Sequence, residues 1–124
     1  MRYSFLALAA LLECVGPAGS VYAADAGAGE QVAQSCAICH KFDKGSGNGL
    51  GPNLFGIVGR KAASLPDFAY SDALKASKII WTTDSLAKWV AGPVKMVPGT
   101  KMVFPGITNK TDIANLIAYL NTLK

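Results

Sequence analysis

A chain of 124 residues, 51% apolar and 16% charged, has the length of one packed domain and too much apolar content for a disordered tail. Its net charge of +4 is spread without Lys/Arg runs. That excludes a nucleic-acid interface and leaves a modest attraction for acidic surfaces.

The first 23 residues have the pattern of a secretory signal. Arg2 opens it, Phe5 to Leu12 form a short apolar run, Gly16-Pro17 break it, and Val21-Tyr22-Ala23 fit a small-residue cleavage site. Cleavage after Ala23, or alternatively Ala24, leaves a single exported domain over 24–124. The apolar run is short for a bilayer span. Glu13 before Cys14 fits a lipoprotein site poorly.

Beyond the signal, Gly29 to Ile38 is predicted as a helix with Val32 on its apolar side. Gly45, Gly47, Gly49, Gly51 and Pro52 then mark a long loop over 44–59. No strand precedes those glycines and no Gly-Lys-Ser/Thr follows, so they are turn residues and not a phosphate loop. Asp72 to Ala76 suits a short helix. Thr82 or Thr83 caps another that runs to Ala91 and stops at Gly92-Pro93. Residues 92–106, broken by Pro93, Pro98-Gly99 and Pro105-Gly106, are expected to be irregular. Thr108 or Asn109 caps the last helix, where Ile113, Leu116, Ile117 and Leu120 recur at helical spacing beside Tyr119. No segment alternates as a strand. The expectation is an all-α fold of three to four helices whose long loops wrap a bulky group that completes the core.

Removal of the signal leaves two cysteines, and they stand as Cys36-Ala37-Ile38-Cys39-His40. Two thiols at this spacing, followed at once by an imidazole, match covalent c-type haem attachment. Each thiol adds to one vinyl group of a rigid macrocycle, and the adjacent histidine reaches the iron. A thioredoxin-like pair would need a βαβ context, and a zinc site would need two further Cys or His ligands. His40 is the only histidine, so no second one is available as sixth ligand or as a distal acid–base group. A haem peroxidase or gas sensor is therefore disfavoured against a carrier, or a subunit fixed in a larger complex. Methionine suits the sixth position because a thioether raises the potential of low-spin haem iron. Met96 and Met102 both qualify by residue type.

Several further segments follow in order: Gly29-Glu30-Gln31-Val32, Gly51-Pro52-Asn53-Leu54, Gly59-Arg60-Lys61, Tyr70-Ser71-Asp72-Ala73, Trp81 and Pro98-Gly99-Thr100-Lys101-Met102. With the haem motif near the start of the exported domain, they resemble class I c-type cytochromes, in the bacterial c2-like branch similar to mitochondrial cytochrome c. The resemblance implies one haem c with iron between His40 and Met102. It implies that the Pro52 carbonyl orients His40, and that Arg60, Tyr70 and Trp81 serve a haem propionate. It puts Phe104 over the haem edge and Gly29 at a close crossing of the first and last helices near Leu116 and Tyr119. Trp89 stands where the mitochondrial proteins have a tyrosine, and Leu74 where they have an asparagine. The implied role is a monomeric periplasmic one-electron carrier, not an enzyme. Lys95, Lys101 and Lys110 would face acidic redox partners, such as a bc1 complex, reaction centre, terminal oxidase or periplasmic dehydrogenase. Ser35, Val94, Thr108 and Asn109 replace lysines of that face, and an apolar centre near Phe104 and Val94 is expected.

Overall fold

The computed structural model describes residue 16 and residues 23–124. The expected signal over 1–23 thus lies almost wholly outside the described residues. Five helical segments follow one another: α1 (Ala26–Ala33), α2 (Asp72–Ser77), α3 (Thr83–Ala91), α4 (Pro93–Met96) and α5 (Lys110–Leu120). Among the described residues there is no strand, only one antiparallel bridge between Lys61 and Ile80.

Each long helix starts on a side chain that accepts otherwise unpaired backbone N–H groups. Asp25 takes those of Gly27 and Ala28 at 2.8 and 3.1 Å. Thr82 and Ser85 form a reciprocal capping box on α3. Asn109, one of the two residues expected there, accepts from Thr111 and Asp112. The Asp25 cap explains why α1 begins three residues before Gly29. Its end also differs from expectation: after Ala33 the chain continues in tight turns, and the Ser35 hydroxyl donates back to the Val32 carbonyl at 3.0 Å.

Residues 92–106 are not wholly irregular. Pro93 occupies the first position of α4, where its fixed φ favours a helix and its missing N–H costs nothing. With α4 as a single turn, the count is five segments instead of three to four.

The core lies where α1, α3 and α5 meet the loops. Leu116, Ala33, Leu120 and Leu86 are buried, with Trp81, Trp89 and Leu74 in the same cluster. At the α1–α5 crossing, a Cβ on Gly29 would collide with the Asn115 carbonyl and the Tyr119 Cβ. The Asp25 N–H donates to Asn115 Oδ1 at 2.9 Å, so the cap of α1 is tied to the middle of α5.

Asparagines stitch the long loops. Asn48 Oδ1 accepts from the Asn53 N–H at 2.9 Å, and Asn48 Nδ2 donates to the Asp67 carbonyl at 3.3 Å. Asn48 therefore joins the loop after His40 to the loop before Tyr70. Among the described residues no helix is long and apolar enough to cross a membrane.

Candidate functional site

The turns after α1 gather Cys36, Cys39 and His40. Cys36 N–H bonds to the Ala33 carbonyl at 2.9 Å, and both Cys39 and His40 N–H groups fold back on the Cys36 carbonyl. The thiols are free and half-buried. Burial pushes the Cys36 thiol up from its ordinary pKa, against a hydrogen bond from Ser35 and with help from neighbouring Cys39. An uncharged thioether suits such a setting better than a thiolate. Among the described residues no cluster of three His, Cys, Asp or Glu could hold a bare metal ion.

His40 is oriented by the loop that follows. Its Nδ1 lies 2.6 Å from the Pro52 carbonyl. A carbonyl only accepts, so Nδ1 carries the proton and Nε2 presents its lone pair. Burial lowers the His40 pKa, opposed in part by the Pro52 bond, which favours the neutral ring a metal needs. The ring rests on Gly51, where a Cβ would stand 2.5 Å from Cε1. Gly51 N–H bonds to the Cys39 carbonyl at 2.9 Å, and Leu54 N–H to Lys41 at 2.8 Å, so loop and motif form one unit.

Arg60, Tyr70 and Trp81 are brought together on another wall. Trp81 N–H bonds to the Arg60 carbonyl at 2.9 Å. The Arg60 guanidinium donates to the carbonyls of Asn53 at 2.8 Å and Phe55 at 3.2 Å. Burial lowers the Arg60 pKa, and among the described residues no carboxylate pairs with it. Tyr70 lies close enough that the Arg60 charge opposes the upward push of burial on the phenol. The Tyr70 hydroxyl accepts from Leu65 N–H at 3.4 Å. A half-buried cation without a carboxylate, beside a phenol, fits an acidic group of a bound molecule.

The two methionines differ in setting. Met96 ends α4 and lines an open groove of about 560 Å³ with Ala73, Ala76, Ile79 and Val97. Met102 lies outside any helix and is half-buried against the core. Its N–H reaches Thr100 Oγ1 at 3.4 Å, and Lys101 Nζ reaches the Ala69 carbonyl at 3.5 Å, next to Tyr70. Trp81 and Trp89 pack with ring centroids 5.2 Å apart. Phe104 is half-buried, whereas Lys95, Lys101 and Lys110 are exposed. The donor set thus fits a haem: two thiols and a free imidazole nitrogen on one side, and elsewhere around the core a loop thioether and a guanidinium that has no carboxylate partner among the described residues.

Residue-by-residue reading missed the contact of Gly51 with the imidazole, the Asn48 stitch and the Asn115 tie. The first had a signal in the Gly51-Pro52 pair. The asparagines had none, since either could be an ordinary turn or surface residue.

The family model described as Cytochrome c matches residues 26–124. The chain is 46% identical over 102 residues to cytochrome c2 of Rhodoblastus acidophilus, covering 82% of this chain and 95% of that one. It is 40% identical over 120 residues to cytochrome c2 of Blastochloris viridis, covering 97% and 92%. Among solved structures it matches cytochrome cH from Methylobacterium extorquens at a TM-score of 0.75 and 48% identity, covering 79% of this chain and 98% of that one.

Proposed function

Since the chain belongs to the cytochrome c family, we propose that Cys36 and Cys39 carry its haem and that His40 and Met102 ligate the iron. The protein is a class I, c2-type electron-transfer protein with one covalent haem c, and not an enzyme. When bound, haem c supplies a one-electron ferrous–ferric couple.

The chain's own residues set the conditions for that couple. The Nδ1 bond to Pro52 fixes the tautomer and plane of His40 and strengthens its Nε2 as a donor. Gly51 leaves room for the ring to hold that plane. Arg60 and Tyr70 offer donors to a propionate, and Trp81 holds Arg60 in place through its backbone. Trp89 and Leu74 are buried in the core that Met102 packs against and would keep water from that side of a haem, and the half-buried Phe104 would cover its edge. The single observation that carries this reading is the 2.6 Å bond between His40 and Pro52, which leaves a neutral imidazole nitrogen beside two free thiols.

The cellular reading is a periplasmic, monomeric shuttle exported by a cleaved signal. Its partners are redox proteins or complexes with acidic faces: a bc1 complex, a reaction centre, a terminal oxidase or a periplasmic dehydrogenase. Osmotic shock should release the coloured protein from cells, and a redox titration should fit one reversible one-electron step. A protein retained with the cytoplasm, or a ferrous form that binds oxygen instead of giving up an electron, would contradict this reading.

A further inference from the structure

The Pro52 carbonyl that holds His40 belongs to a peptide unit whose other edge is occupied as well. In the planar Pro52–Asn53 amide, C=O and N–H share one conjugated system. His40 Nδ1 donates to its oxygen at 2.6 Å. On the opposite edge, the Asn53 N–H donates to Asn48 Oδ1 at 2.9 Å. The Asn48 amide is engaged in turn, because its Nδ2 donates to the Asp67 carbonyl at 3.3 Å. These partners fix which way that amide points, since a backbone N–H only donates and a carbonyl only accepts.

Three hydrogen bonds thus run in series through two amides, from the Asp67 carbonyl to the His40 ring, and all point the same way. Each acceptor polarises the amide that donates to it and leaves more negative charge on that amide's oxygen. Bonds aligned in such a chain strengthen one another. Asn48, Pro52 and Asn53 are half-buried, so water screens the chain only in part. The glycines of this loop serve the alignment. Gly49 N–H bonds to the Gly51 carbonyl at 3.0 Å and Gly51 N–H to the Cys39 carbonyl at 2.9 Å, which holds the segment from Asn48 to Pro52 beside the haem motif.

We infer that Asn48 is a positioning residue for the iron ligand. By accepting from the Pro52–Asn53 peptide, its Oδ1 makes the Pro52 carbonyl a stronger partner for His40 Nδ1–H, and His40 Nε2 a stronger donor. A stronger nitrogen donor favours ferric iron, so the chain lowers the reduction potential. It also ties the setting of His40 to the loop before Tyr70. This deepens the haem reading and rests on His40 as a ligand.

The test compares wild-type holoprotein with three variants. Asn48→Leu removes both bonds at similar volume. Asn48→Asp keeps the acceptor, adds a negative charge and loses the Asp67 bond. Lys44→Gln lies in the same loop, on the wall of the same cavity, and changes the net charge equally without belonging to the chain of bonds. The readouts are a redox titration and the NMR signal of the His40 Nδ1 proton in the ferrous state. Asn48→Leu should shift the ferric–ferrous equilibrium about threefold toward ferrous, a rise of ~30 mV for one electron, and move the proton upfield. Asn48→Asp should lower the potential more than Lys44→Gln does and move the proton downfield. Lys44→Gln should leave the proton in place. Both Asn48 variants lose the Asp67 bond, so a residue that only joined loops would shift both in one direction. That common direction, or an Nδ1 proton unmoved in both, would overturn the proposal. If Asn48→Leu does not fold, an Nδ1 proton unmoved in Asn48→Asp overturns it alone. Absence of haem-shifted His40 signals in the wild type would instead overturn the ligand assignment beneath it.

Discussion

Met102→Ala should remove the weak near-infrared sulfur-to-iron band of the ferric protein and lower its reduction potential by on the order of 0.1 V or more, within the ~0.8 V range that axial ligands span. A thioether stabilises ferrous over ferric iron, so its loss favours the oxidised form. The haem should stay attached, because thioether bonds to Cys36 and Cys39, as proposed, would hold it independently of the sixth ligand. Met96→Ala should leave both band and potential nearly unchanged. Met96 belongs to α4 and the groove against α2, so its loss acts on packing. A lost band in the Met96 variant and a retained one in the Met102 variant would reverse the assignment.

Gly29→Ala should destabilise the holoprotein by about 3 kcal/mol, the upper part of the range for overpacked cores. For a domain of this size that lowers Tm by roughly 10 °C or more. The sign is diagnostic. In an exposed helix, Ala is favoured over Gly by ~1 kcal/mol. At Gly29 the new Cβ meets the Asn115 backbone carbonyl, which cannot rotate away as a side-chain end could. Relief requires α1 to lift off α5, which also strains the Asp25–Asn115 bond. Gly27→Ala, one turn edge earlier, meets only the Asp25 carboxylate at 3.2 Å, so its change should stay within ~1 kcal/mol. Thermal melts of both variants followed by circular dichroism make the comparison. Equal stability of Gly29→Ala and wild type would show that the helices do not cross at this glycine.

The same two regions show what a sequence carries and what it hides. Helix α5 was legible because Leu116, Ile117 and Leu120 repeat at one face and Asn109 caps them. Helix α3 was legible from Thr82 and Gly92-Pro93. Helix α4 was hidden because Pro93 reads as a breaker when its neighbours are unknown, yet starts a turn when it stands first. The start of α1 was hidden because Gly27 and Gly29 weaken its helical signal. Only the partner helix shows why Gly29 has no side chain. At the site, the chemistry of Cys36, Cys39 and His40 is local in sequence and could be read directly. The Pro52 carbonyl, by contrast, is a backbone atom that any residue possesses. Its role came from the resemblance, and its 2.6 Å approach to Nδ1 only from the fold. Asn48 lay beyond either kind of reading, since it joins loops 19 residues apart through ordinary amide bonds.

The most direct test of the account is proteolysis of the purified holoprotein followed by mass spectrometry of its coloured peptides. The peptide that contains Cys36-Ala37-Ile38-Cys39-His40 should carry the mass of one haem, with both thiols blocked to alkylation. Extraction of the colour by acidified acetone, or recovery of that peptide at its unmodified mass with two alkylated cysteines, would contradict it.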